Sequence, residues 1–210
     1  MFNFDPFTLL AKVAILLLAL PIHEFAHAYA AHRLGDDTAA RMGRLSLNPL
    51  RHLDPIGSLM ILFVGFGWAK PVPVNPYRLR HGHRAGYALV AAAGPASNLA
   101  LAVLIAAFWR VGLLKGMPPG VMDFVLVFMS INVALCLFNL IPLAPLDGGS
   151  VLNGLIGEQG ARALAPLQTY GPILLMGLFM LPYIAPRFDV IGTLLNEGVS
   201  AVMSLLLGVG

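Results

Sequence analysis

His23-Glu24-Phe25-Ala26-His27 sets two imidazoles four residues apart with a carboxylate beside the first. On a helix, residues i and i+4 share a face, so the imidazole nitrogens can converge on one Zn²⁺ while Glu24 reaches a water on the metal. These groups suit hydrolysis of a peptide bond. Zinc lowers the pKa of water toward about 7 and polarises the scissile carbonyl, while the carboxylate takes a proton and hands it to the leaving amine. Three fixed positions in five arise by chance too often to stand alone, so the surroundings of the cluster must decide.

Those surroundings are apolar. Of 210 residues, 58% are hydrophobic and 11% charged, and the mean hydropathy is +0.81. A soluble domain has roughly 45–50% apolar and 25% charged residues. The composition predicts an all-α polytopic membrane protein. One domain over residues 1–210 is expected, because no polar stretch is long enough to bury a separate water-soluble core. Cys136 is the only cysteine, which excludes a disulfide scaffold within the chain. The formal charge of +3 comes mostly from loop arginines, which points to a cytoplasmic leaflet and argues against nucleic acid as a partner.

The first apolar run, residues 7–31, carries Lys12 early and the His-Glu cluster in its second half. It continues into the cluster without a small-residue cleavage site and reads as a retained helix. Residues 85–109 form an uncharged second span containing Gly94, Pro95 and Asn98. The third, 121–146, holds Asn132, Asn139, Pro142 and Pro145. A fourth uncharged span lies between residues 162 and 187, and the segment 190–207 either crosses as a fifth or lies along the interface. About four to five transmembrane helices follow. Between the first two, the 15 uncharged residues 55–69 would rise only about 22 Å as helix, short of a roughly 30 Å hydrocarbon core. A membrane re-entrant segment or β-loop is therefore expected.

Eight of the 13 lysines and arginines fall in residues 33–84, which assigns that loop to the cytoplasm. The first span then runs inward, the second returns, and the third ends inward at Asp147, level with His23 and His27. Catalytic zinc needs a third protein ligand and an open position, and Asp147 lies at the right depth to supply it. Taken alone, Asp147-Gly148-Gly149 would read as a helix cap or turn. At membrane depth an ionisable side chain costs at least about 2.5–3.5 kcal/mol on insertion scales, so the cluster reads as functional; at the membrane boundary it would be ordinary interfacial polarity.

His23-Glu24-x-x-His27 together with Asn139-Leu140-Ile141-Pro142-Leu143-Ala144-Pro145-Leu146-Asp147-Gly148 resembles the site-2 protease family of intramembrane metalloproteases. The resemblance extends through Gly35-Asp36, Leu47-Asn48-Pro49, Asp54-Pro55-Ile56-Gly57, Gly67-Trp68-Ala69-Lys70-Pro71-Val72-Pro73-Val74 and Gly94-Pro95-x-x-Asn98. It implies one Zn²⁺ per chain held by His23, His27 and Asp147, with Glu24 as general base and Asn139 holding the substrate or its oxyanion. It further implies a single-pass transmembrane protein as substrate, such as a membrane-bound regulator of transcription. A multi-pass location in the inner (plasma) membrane, with the site toward the cytoplasm, follows from it and from the charge bias. Many relatives have proline where Ala144 stands, which leaves every polar role intact. Neither an inserted peptide-binding domain nor a nucleotide-binding tail is expected.

Pro142 and Pro145 should unwind the third span as it enters the site, and Pro21 either frees the carbonyl of Leu17 in the same way or simply kinks the helix. Asn98 either hydrogen-bonds across helices toward the site or, with Gly94, only permits close packing. Around Gly65-Phe66-Gly67, residues 61–74 are apolar and in part β-branched, and Pro71 and Pro73 resist helix. This segment is expected to receive an unwound substrate as an added strand; the alternative is a short packing helix whose glycines allow close contact. His32, His52, His81 and His83 read as solvated loop histidines, and Trp68 and Tyr77 as an interfacial aromatic belt. Two other functions fit intramembrane histidines and carboxylates: a metal-ion transporter and a catalytically silent protease-like scaffold.

Overall fold

Inside a bilayer no water satisfies backbone amides, so each apolar run must bond its own donors and acceptors, which an open chain does as helix. The computed structural model describes residues 6–63 and 67–209, and the regular elements among them are all helical. Among the described residues, five helices are long and apolar enough to cross a membrane: Leu9–Arg33, His83–Arg110, Pro119–Asn139, Glu158–Ile184 and Val190–Leu207.

The first of these is not uniform. Helix α1 (Pro6–Ala14) passes through a π-turn, Ile15–Ala19, into α2 (Leu20–Arg33). At the junction the Leu20 N–H reaches back to the Ile15 carbonyl, an i→i+5 bond, and Pro21 falls in the first turn of α2. The proline's missing donor is thus absorbed where a helix start has no use for it. Asp36 ties the loop between the first two spans together. Fully buried, it accepts from the Thr38 hydroxyl at 2.5 Å and N–H at 3.1 Å and from the Asn75 N–H at 2.6 Å. Burial opposes its charge, but these hydrogen bonds prevail and hold the carboxyl below the usual range. The short helix α3 (Thr38–Arg41) follows directly.

The re-entrant region is a helix followed by an extended return. Helix α4 (Pro55–Phe63) starts under an Asp54 carboxylate that accepts from the Gly57 N–H at 2.8 Å. Its last turn is met by Lys12, whose ammonium donates to the Leu62 carbonyl at 3.2 Å. Residues 61–63, expected to begin a strand, instead close α4. Gly65 and Phe66 lie outside the described residues. On the return, Leu53 and Ala69 form an isolated antiparallel bridge, and the Lys70 N–H donates to the His52 carbonyl at 2.7 Å. Gly57 and Gly67 bring the two arms backbone to backbone, since a Cβ on either would strike the other arm's main chain.

Helices α5 (His83–Arg110) and α6 (Pro119–Asn139) follow. The third apolar run does not continue to residue 146 as helix. It stops at Asn139, residues 140–146 turn irregularly, and α7 (Asp147–Leu155) restarts at the aspartate. Pro142 and Pro145 lack the N–H a continuing helix would use. Leu143 and Leu146 anchor this turn in an apolar cluster with Leu175 of α8 (Glu158–Ile184) and Ile191 of α9 (Val190–Leu207). Arg84 holds the far end of α7, its guanidinium donating to the carbonyls of Asn153 at 2.6 Å and Ile156 at 2.5 Å.

Candidate active site

On α2, His23 and His27 lie one turn apart and both are buried, as is Glu24 between them. The two Nε2 atoms stand 3.0 Å apart. The restart of the chain at Asp147 brings its Oδ2 to 3.3 Å from His23 Nε2 and 3.4 Å from His27 Nε2. Among the described residues this is the one group of three or more His, Cys, Asp or Glu whose ligand atoms converge.

The outer nitrogens determine what the inner ones can do. His27 Nδ1 lies 2.8 Å from the Val90 carbonyl, which can only accept, so Nδ1 carries the proton. His23 Nδ1 lies 2.6 Å from Asn98 Oδ1, again an acceptor. Each neutral ring therefore turns a bare Nε2 lone pair inward. Gly94 on α5 makes room for both, because a methyl at that position would collide with each Nε2.

A cavity of about 820 Å³ opens onto this group. Glu24, Asn139 and Ser150 line it, with Tyr87 and the return arm at Gly67, Trp68, Ala69, Pro71 and Val72. Asn139 uses one amide hydrogen on the Leu135 carbonyl at 2.9 Å, leaving its remaining donor and its oxygen for the cavity. Asn98 does not line the cavity; it stands behind His23 and is fully buried. Trp68 lines the cavity wall and is also exposed on the surface. His52 also departs from expectation. It is fully buried, its Nε2 donates to the Ser46 carbonyl at 2.5 Å, and burial pushes its pKa below the usual imidazole range. Its neighbours in the turn and the Lys70 bridge shield it from the water that surrounds the other loop histidines.

Two groups here carried no distinguishing mark in the sequence. Arg44, one of eight cations in the loop, is buried, donates to the Lys70 carbonyl and to Pro71 O at 3.1 Å, and attracts Glu24. Asn132 was visible only as an amide in an apolar run, yet it is fully buried behind Asn98.

Comparison with known proteins gives the reaction class. Peptidase family M50 matches residues 114–182, which include Asn139 and Asp147. The chain is 39% identical to "Putative zinc metalloprotease YwhC" of Bacillus subtilis (strain 168) over 213 residues, covering 97% of this chain and 94% of that protein. The chain belongs to peptidase family M50. Two relatives named Rip2 share this ancestry with the M50 chain. The Mycobacterium tuberculosis (strain ATCC 25618 / H37Rv) protein is 34% identical and the Mycolicibacterium smegmatis protein 33%, each over 79% of this chain and 65% of its own length. No solved structure matches it significantly.

Zinc is the cofactor of this M50 metalloprotease, and the donor set fits it. Two neutral imidazole nitrogens and a carboxylate, with an open cavity beside them, are the usual donors of catalytic zinc. Ligands about 2.0–2.1 Å from a tetrahedral ion stand about 3.3–3.4 Å from one another, close to the separations above. Asp147 Oδ2 is buried with no hydrogen-bond partner, and two facing lone pairs repel. A cation resolves both defects at once.

Proposed function

We propose that this M50 zinc metalloprotease hydrolyses peptide bonds within or beside transmembrane helices, using His23, His27 and Asp147 as metal ligands and Glu24 as general base. The convergence of two buried histidines on a spanning helix with Asp147 at the start of α7 carries the reading. Zinc, when bound, supplies Lewis acidity toward water and the scissile carbonyl. Glu24, buried beside the histidines and lining the cavity, accepts a proton from the attacking water and returns it to the leaving amine. The free donor of Asn139 holds the substrate carbonyl or the oxyanion that develops on it. Arg44 stabilises the return arm and the negative charge on Glu24.

The whole chain acts as one domain. Residues 33–84 face the cytoplasm of a cell's inner membrane, and the ligands lie below that surface. Six residues separate His27 from Arg33 and ten separate His23 from it, a depth of roughly 9–15 Å at about 1.5 Å per residue. A transmembrane substrate, a single-pass regulatory protein, must unwind before its peptide bonds are accessible. Unwinding exposes donors and acceptors that cost several kcal/mol each in hydrocarbon, and the return arm beside the cavity can pair with them. Gly67 sits on this arm, although its contact with Gly57 gives it a packing task as well. Strand addition is therefore tested on the substrate: helices with central Gly or Pro should be cut faster than Leu-rich ones, and equal rates would remove it.

The deciding experiment reconstitutes the purified chain in liposomes with a single-pass substrate. Cleavage that requires zinc, with no zinc flux across the vesicle, supports the protease. Flux without cleavage would support a transporter instead, and zinc binding without either would leave a scaffold. Labelling of cysteines engineered into residues 33–84 from the outer side of intact cells would contradict the orientation.

A further inference from the structure

We propose that Asn132 is a positioning residue for His23, acting through Asn98 to set which imidazole nitrogen is free for the metal. The inference rests on His23 being a ligand. The path runs through three helices: His23 Nδ1 to Asn98 Oδ1 at 2.6 Å, Asn98 Nδ2 to Asn132 Oδ1 at 3.1 Å, and Asn132 Nδ2 to the Phe128 carbonyl at 2.9 Å. Asn98 and Asn132 are both fully buried, so water cannot substitute for any link.

The chain of bonds has one direction. A backbone carbonyl can only accept, so Phe128 forces the NH₂ of Asn132 toward itself and the Asn132 oxygen toward Asn98. That oxygen in turn draws the NH₂ of Asn98, leaving Asn98 Oδ1 to face His23. The proton of His23 must then reside on Nδ1, and Nε2 is left bare. His27 reaches the same state in one step through the Val90 carbonyl. His23, facing a side chain rather than a carbonyl, needs two amides to borrow a carbonyl from α6. The relay also links α2 to the helix that leads into Asn139 and Asp147.

Outer partners of this kind change metal affinity by about 10–100-fold. The test measures zinc affinity of the full chain by chelator competition, with Asn132→Leu in two backgrounds. Against wild type, Asn132→Leu should weaken zinc about tenfold or more, because Asn98 loses the group that orients it. In an Asn98→Asp background the carboxylate accepts from His23 unaided, and the Asn132 oxygen faces a like charge. There Asn132→Leu should leave zinc affinity unchanged or improve it. An equal loss in both backgrounds would mean that Asn132 only packs, and would overturn the relay. Should Asn132→Leu not yield folded protein, Asn132→Ala is read in the same two backgrounds. His23→Ala separates the levels of failure. If it retains wild-type zinc affinity, the ligand assignment falls; if it loses zinc while Asn132→Leu binds as wild type, only the relay falls.

Discussion

The three helices that surround the metal site and the two that follow them have similar composition but different environments. In their most apolar windows, the first three bury 44%, 39% and 22% of residues, whereas α8 and α9 bury 11% and 6%. In lipid, leucine gains little by leaving one apolar neighbour for another, so helices associate through small and polar residues. Helix α5 presents Gly94, Asn98, Ala102 and Ala106 inward, while α8 turns Ile173, Met176 and Met180 outward. Which residues a helix turns inward separates the helices around the site from the two that follow.

The sharpest break in that contrast is at the base. Glu24→Gln should reduce cleavage by about 10²–10⁴-fold while leaving zinc bound, since the amide fills the space but accepts no proton. Near-normal turnover with metal retained would remove Glu24 from the chemistry. Next in size are changes to the cradle. Asp147→Ala leaves two imidazoles and should lose zinc on dialysis, with full occupancy in that variant pointing to another carboxylate. Gly94→Ala pushes a methyl against both Nε2 atoms; overpacking of about 1–3 kcal/mol should weaken zinc roughly tenfold or more, read by the same dialysis. Wild-type affinity in Gly94→Ala would show that the imidazoles can move aside.

A smaller effect is expected at the tie that Asp36 makes between Thr38 and Asn75. The Asp36 carboxyl lies below its ordinary range in the folded chain. Its stabilisation should be complete above the unfolded value of about 3.9 and vanish as pH falls through the folded value. Amide exchange at Thr38 and Asn75 should therefore stay slow at neutral pH and accelerate only in strong acid. Acceleration already at pH 6 would assign the tie to another group. The smallest effect belongs to the outer helices: Met176→Leu or Ile173→Leu should shift stability by no more than about 0.5 kcal/mol. A large loss in unfolding experiments would show that α8 packs on something other than lipid.

Much of the site was legible because its signals are local or tied to membrane depth. The i, i+4 spacing of His23 and His27 needs only a helix to bring them together. Asp147 was legible because charge bias set the direction of each span and thus the depth of its end. The break at Pro142 and Pro145 was legible from missing donors, although it proved longer, ending α6 at Asn139. The return arm was less legible, since periodicity does not distinguish a short apolar helix from a strand; residues 61–63 went to α4 because that helix packs against the first span.

What the sequence alone determined is the class of molecule and its reactive groups: a polytopic chain whose two histidines, glutamate and distant aspartate suit zinc hydrolysis. Composition and spacing survive any detail of packing, so they can be read directly. Only the tertiary structure decided which polar residues stand behind those groups. Asn132 relays a carbonyl to His23, Arg44 among the eight loop cations is buried and attracts Glu24, and His52 is buried although it stands in a charged loop. Asn132 and Arg44 depend on partners 34 and 26 residues away, and the direction of a hydrogen bond exists only once both partners are in place.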